Sequence, residues 1–457
     1  MEQHDLPNSG TTGSIAWSFS DGTLTLSGEG ALPALHTGRP WDHLREEMRT
    51  VIVGQGMTTI SSFAFHSYLR ITAIVLPDSL TCIEEYAFAN CRSLASLSLP
   101  PGLTRIGSHA FSACFALESL ALPEGLKRTG QFAFSHCRGL TSLAFPRSLR
   151  RIEEGAFYGC TALESVCIPR GVTRIENRAF AQCSRLREAT VEEGSRSYMS
   201  EDGVLFRYDG SRLTLYPAGR QESHYRVPDG VECIERGAFA SCEALASLSL
   251  PQSLTEIDEM AFEDCRHLAS ILLPSGVEQV GVHAFHGCIR LESIPVEEGE
   301  GVYSSQDGIL FRDGKELICC PEGKASADCH IPAGTLSIAD YAFAHCTRLK
   351  SVGLPYGLTW IGKGAFYGCE GLTSILIPRS VQRIGEDAFY DCSGLQDLTV
   401  RWEVPLTADT DYLLFGRSVI RTCRLHVPFG TEELYRNAWA WEDFEQIMEE
   451  EDPDESI

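Results

Sequence analysis

Residues 91–113 read CRSLASLSLPPGLTRIGSHAFSA, and Cys114 follows. Leu94, Leu97 and Leu99 form an L-x-x-L-x-L run that Pro100 closes. The alternation in Leu97-Ser98-Leu99 predicts a short strand with leucine inward and serine outward. Pro100 stops it, because proline has no N–H to give to a ladder. Leu103-Thr104-Arg105-Ile106 carries the chain back across. Ala110 is small where the backbone turns inward, and Phe111 fills the far side of a core.

The ending Ala-Phe-x-x-Cys recurs every 23 positions. Its phenylalanines are Phe65, Phe88, Phe111, Phe134, Phe157 and Phe180, then Phe239, Phe262 and Phe285, then Phe343, Phe366 and Phe389. A unit this short leaves an open edge and half a core, so neighbours must stack on it. The fold class is therefore a repeat solenoid, β-rich, with a ladder of parallel strands. A globular chain of 457 residues would suggest about three domains; the repeat predicts one continuous core instead.

Eleven of the 18 cysteines fall at the end of the repeat, Cys91, Cys114, Cys137, Cys160, Cys183, Cys242, Cys265, Cys288, Cys346, Cys369 and Cys392, and Tyr68 holds that place in the first unit. One cysteine per coil at one phase reads as a ladder of free buried thiols packing as small hydrophobes.

The beat breaks after Val191, Val296 and Val400. The first two breaks share a plan: Tyr198-x-Ser200-x-Asp202-Gly203-Val204-Leu205-Phe206-Arg207 matches Tyr303-x-Ser305-x-Asp307-Gly308-Ile309-Leu310-Phe311-Arg312. Apolar runs around Asp209-Gly210 and Asp313-Gly314 predict a hairpin in each. Each hairpin is expected to replace the return of one coil while the strand ladder continues. The third break ends at Leu425-His426-Val427-Pro428, one more strand. About sixteen parallel strands at about 4.8 Å per step would make a face roughly 70 Å long.

The ends read as caps. Ile15 to Phe19 and Thr23 to Leu26 flank Asp21-Gly22 as a hairpin, with Trp17 and Trp41 as cap core. Leu434, Tyr435, Ala438, Trp441, Phe444, Ile447 and Met448 form one stripe at helical spacing, with Thr431 as its N-cap. The organisation expected is an N-terminal β-hairpin cap over 1–50 and a leucine-rich repeat solenoid over 51–400 with hairpin insertions at 192–226 and 297–330. A C-terminal cap with a helix over 401–448 and a disordered acidic tail over 449–457 follow.

The L-x-x-L-x-L-P run, the x-I-x-x-x-A-F-x-x-C ending and their common length resemble the BspA-type leucine-rich repeat proteins, over about residues 50–400. The inserts with Tyr-x-Ser-x-Asp-Gly and the start around Trp17 to Gly30 are similar to segments of that family. The resemblance implies a right-handed superhelix of leucine-rich repeats. It also implies an extracellular or cell-surface protein that binds host or neighbouring-cell proteins. Met1 to Gly10 lacks the charged and apolar regions of a secretory signal, so a cytoplasmic location stays open.

The net charge of −24 argues against a nucleic-acid partner, which needs a basic footprint. No run of 18 apolar residues predicts a membrane span. No H-E-x-x-H, Walker or G-x-S-x-G motif appears, so no enzyme, metal or cofactor is expected. The outward strand position repeats as Ser96, Ser119, Ser142, Ser165, Ser247, Ser270, Ser293, Ser351 and Ser374. The next outward position is mostly small, so this face reads as flat and nearly uncharged. The second set of candidate partner-binding residues is at the hairpin tips: Arg207, Tyr208, Arg212, Arg312 and Lys315. The leading reading is a monomeric, non-catalytic protein-binding solenoid of adhesin-like type. A structural spacer presenting the hairpins is the second reading, and a hydrolase on glycans or peptides the third.

Overall fold

The structure, a computed structural model, describes residues 7–34, 38–406 and 414–450. By contacts the chain divides into two compact units, Met1–Gln221 with Cys233–Ala244, and Glu222–Glu232 with Leu245–Ile457. Each is a parallel β-solenoid.

In the first unit Thr50–Val53 pairs with Ala73–Val75, Ser119–Ala121 with Ser142–Ala144, and Ser165–Ile168 with Glu188–Val191. All are parallel and in register, so each residue lies beside the one 23 positions on. The run Leu97-Ser98-Leu99, read above as a strand, forms no ladder. Glu118 N–H donates to Ala95 O at 3.3 Å, but no strand forms over residues 97–99. In the second unit His224–Arg226 pairs with Ser247–Ser249. Asp328–His330, Ser351–Gly353, Ser374–Ile377, Asp397–Val400, Arg424–Pro428 and Gln446–Glu450 form one parallel sheet. The return crossings make two-residue strands of their own, such as Arg151–Ile152 beside Arg174–Ile175.

The third side of the coil closes by a device the period does not reveal. Two residues per coil adopt left-handed backbone, for example Phe63 and Ser67, Tyr86 and Asn90, His109 and Ala113. Hydrogen bonds then alternate between coils and within them. Phe63, Phe65 and Ser67 donate to Glu85, Ala87 and Ala89 of the next coil at 2.9, 2.7 and 2.8 Å. Ala64, His66 and Tyr68 donate three residues back within their own coil. Every N–H of the segment is paired, which offsets a left-handed cost of roughly 1–2 kcal/mol per non-glycine residue.

The core carries two ladders. Rings of Phe65, Phe88, Phe111, Phe134, Phe157 and Phe180 stack in sequence at 5.2 to 5.7 Å, and Trp41 stacks on Phe65 at 5.8 Å. None of the eighteen cysteines forms a disulfide, and the eleven of the repeat are buried. Cys91 Sγ donates to Phe65 O, Cys137 to Phe111 O and Cys392 to Phe366 O, at 3.3, 3.4 and 3.0 Å. The position therefore needs a small apolar group with a weak donor, which is what a thiol offers.

The insertions are three-stranded meanders. In the first, Tyr198–Glu201, Val204–Arg207 and Arg212–Leu215 run antiparallel, and the last pairs parallel with the return strand Cys233–Ile234. In the second, Tyr303–Gln306, Ile309–Arg312 and Glu316–Cys319 do the same against Ser337–Ile338. Each thus replaces a coil's return, but the strand ladder does not continue through it. Ala189 and Ile294 N–H donate instead to Gly203 and Gly308 O of the inserted turns, both at 2.9 Å.

At the N-terminal side Ile15–Ser20 and Thr23–Ser27 form a hairpin, with Ser9–Thr12 added to its edge. At the other end the expected long helix is not formed. A helix covers only Glu432–Arg436, and Ile447 and Met448 lie in the strand Gln446–Glu450. Pairing with Arg424–Pro428 gives that backbone a full ladder, and Leu434 and Met448 face outward. Glu449 and Glu450 therefore belong to this strand and not to a tail; residues 451–457 lie outside the described residues.

Candidate interaction surface

Of the nine outward serines, Ser96, Ser119, Ser142, Ser165, Ser270, Ser293 and Ser374 are exposed, and Ser247 and Ser351 half-buried. Each precedes an inward apolar residue, so strand alternation alone turns it outward. Register sets the pairs side by side: Ser119 with Ser142, Ser247 with Ser270, and Ser351 with Ser374. The next outward residues include Ala121, Ala144 and Gly353, with Val75, Leu272 and Leu376 the larger exposed ones.

The row is less neutral than its serines suggest, because its ends are charged. Glu188 lies beside Ser165, Asp328 beside Ser351 and Asp397 beside Ser374. Ser351 Oγ donates to Asp328, and His224 bridges Ser247 and Ser249 Oγ at 2.8 and 3.2 Å. Hydrogen bonding from His426, with help from Arg424, holds the Asp397 carboxyl below its ordinary pKa. Each acid lies 23 residues from its serine, in the register of the row, next to an insertion or the C-terminal break.

The tip residues divide. Arg207 Nε donates to Glu235 at 2.7 Å and its Nη1 to Tyr198 Oη at 3.0 Å; Arg212 shares Glu235 at 3.2 Å. Arg312 binds Glu316. Arg207 and Arg312 thus brace their own meander, and Glu235 ties Arg207 and Arg212 to the return strand beside it. Tyr208, 59% exposed, and the exposed Lys315 project. The structure does not bring these tips to the serine row. Lys315 O accepts from Leu336 N–H at 2.7 Å on the return side. The other turn of each meander, Asp202-Gly203 or Asp307-Gly308, reaches the strand face, and a Cβ on Gly308 would approach Ser293 Cα to 3.1 Å.

A stacked aromatic row lies on the closing side, at the first left-handed position. Phe63, Tyr86, His109 and Phe132 succeed one another at 4.9, 4.5 and 5.1 Å. Their faces cover each other and leave edges outward, an arrangement that does not offer a ring face to a sugar. No group of three His, Cys, Asp or Glu among the described residues could hold a metal ion. No helix among them is long and apolar enough to cross a membrane.

Parallel strands on one side, an L-x-x-L-x-L run per coil and a stacked core define a leucine-rich repeat scaffold. The chain belongs to the BspA type leucine-rich repeat family, which matches in six copies over residues 58–190, 221–308 and 322–422. Two solved structures share the fold. A leucine-rich repeat protein from Eubacterium ventriosum is 22% identical over 82% of this chain and 92% of its own, with a TM-score of 0.55. A leucine rich cell surface protein from Faecalibacterium prausnitzii is 28% identical over 87% of this chain and 95% of its own, with a TM-score of 0.53. No curated protein matches the chain.

Proposed function

We propose that this chain is a non-catalytic protein-binding solenoid, adhesin-like, that works outside the cell or on its surface and docks a protein on its serine-lined strand face. The observation that carries this reading is the row of short outward side chains held in parallel register, Ser119 beside Ser142 and Ser351 beside Ser374. Short side chains let a partner's backbone approach closely along several coils. The likeness to a protein described as a leucine rich cell surface protein supports the location. The charge of −24 and the acids at the row's ends favour a partner with a basic rim, so association weakens as salt rises.

The test is binding of the purified chain to host matrix proteins and bacterial surface proteins. Ser119→Arg with Ser142→Arg is expected to weaken capture of a partner at least tenfold, while Tyr208→Ala and Lys315→Ala leave it unchanged. Failure to bind any of them, or indifference to the two arginines, sinks the docking surface. Loss on changing the tips alone would instead favour the spacer that presents its insertions.

A further inference from the structure

The two insertions follow one plan but differ where they meet the core. The last strand of the first runs into Tyr216-Pro217-Ala218-Gly219-Arg220, and that of the second into Cys320-Pro321-Glu322-Gly323-Lys324. Their backbones correspond. Tyr216 N–H donates to Ala238 O at 2.8 Å and Cys320 N–H to Ala342 O at 2.7 Å. Arg220 pairs with Asp202, and Lys324 with Asp307.

Tyr216 thereby puts a phenol ring into the aromatic ladder, stacked on Phe239 at 5.0 Å. Cys320 brings no ring to the matching position. Among the described residues Phe285 stacks only on Phe262, at 5.4 Å, and Phe343 only on Phe366, at 5.0 Å. A cavity of about 210 Å³ lies at this step. Phe285 and Cys320 line its core side, and the half-buried rings of His283 and Tyr341, 4.2 Å apart, line it further out.

The residue matching Ala218 is Glu322, which also lines the cavity. Its side chain is only 9% exposed. Oε1 lies 3.0 Å from His286 Nδ1 and accepts from Gly287 N–H at 2.8 Å. Oε2 accepts no hydrogen bond among the described residues. Where the first insertion has a phenol and an alanine, the second has a cavity lined by Phe285 and a carboxylate oxygen without a hydrogen bond. The volume falls below the roughly 300 Å³ at which drug-sized sites begin. It exceeds the ~150 Å³ of an engineered cavity that takes up benzene.

We infer that this cavity binds one phenol ring, packed against Phe285 and Cys320, with its hydroxyl donating to Glu322 Oε2. A free phenol and the tyrosine side chain of a polypeptide present the same group. The site is independent of the serine face, so either can fail alone.

Ligand-observed NMR and calorimetry on the full chain test it, with p-cresol, toluene and a capped Gly-Gly-Tyr-Gly-Gly peptide as probes. p-Cresol is expected to bind at least tenfold more tightly than toluene. Cys320→Tyr, which copies Tyr216, should abolish binding of both and raise the thermal midpoint. Glu322→Ala, which copies Ala218, should weaken p-cresol about tenfold and leave toluene within twofold; it decides the matter if Cys320→Tyr does not fold. Binding of the peptide with the same losses assigns a polypeptide side chain, and p-cresol without the peptide assigns a free phenol. No p-cresol binding at millimolar concentration, binding indifferent to both variants, or equal affinity for toluene overturns the proposal.

Discussion

Gly155 stands at a left-handed position, φ +57°, and the Phe132 ring of the preceding coil lies flat over it, so a Cβ there would overlap the ring. Gly155→Ala is expected to cost about 2–5 kcal/mol, combining left-handed strain of roughly 1–2 with overpacking of roughly 1–3. Ala113→Gly is the control. Ala113 has φ 59°, and relief of strain there nearly offsets the greater freedom glycine gives the unfolded chain, for a change under about 1 kcal/mol. Urea unfolding of both variants checks the pair, and a Gly155→Ala midpoint equal to wild type would refute the reading. The thiols give a second test at this scale. Cys167 is exposed and the repeat cysteines buried, so at pH 8 a thiol reagent should modify Cys167 quickly and the ladder only after unfolding.

At the scale of the element, the Tyr that opens each insertion has a specific task. Tyr198 Oη accepts from Ile175 N–H at 2.8 Å, and Tyr303 Oη from Val280 N–H at 3.0 Å. Both N–H groups belong to return strands whose ladder the meander interrupts. Removing the hydroxyl strands a part-buried N–H, so Tyr198→Phe and Tyr303→Phe should each cost about 1–3 kcal/mol. An unchanged urea midpoint in both would contradict that role. The repeated motif was legible in the sequence as an insertion, and so was its replacement of a return. The third strand was not: Tyr198 to Glu201 is half polar, and its partner Val204 to Arg207 already looked complete with the following run. The serine row was legible because alternation alone fixes which side a strand residue faces. Its charged ends were passed over although Asp328 and Asp397 keep the 23-residue spacing to Ser351 and Ser374, because a pattern read from one residue type does not show what replaces it. The misread helix shows the same limit. Tyr435, Trp441 and Phe444 are buried as expected, but a stripe of apolar residues does not distinguish one long helix from a short helix, a turn and a strand.

At the scale of the molecule, a thiol repeated once per coil makes stability depend on alkaline pH. Burial pushes Cys91, Cys137, Cys183 and Cys392 up to about 12 from an ordinary value of 9.0. Desolvation likewise holds Cys114, Cys160 and Cys369 well above it. The unfolded chain therefore loses thiol protons above about pH 9 while the folded coils keep theirs. Stability from these groups is complete below pH 9 and drains as pH rises toward the folded values. At pH 11 each thiol held at about 12 removes roughly 3 kcal/mol, so Cys91, Cys137 and Cys183 together weaken the first unit by several kcal/mol. That is comparable with the whole 5–15 kcal/mol of a typical fold. Circular dichroism is expected to show cooperative loss of structure between about pH 9.5 and about 11.5, with no matching loss between about pH 7 and about 9. Cys137→Ala removes one of the titrating groups without leaving a polar orphan, because Phe111 O loses only a weak S–H donor. Its urea stability should therefore fall less steeply with pH than wild type by close to one proton. Equal slopes in the two proteins would mean that the thiol ladder does not govern alkaline unfolding.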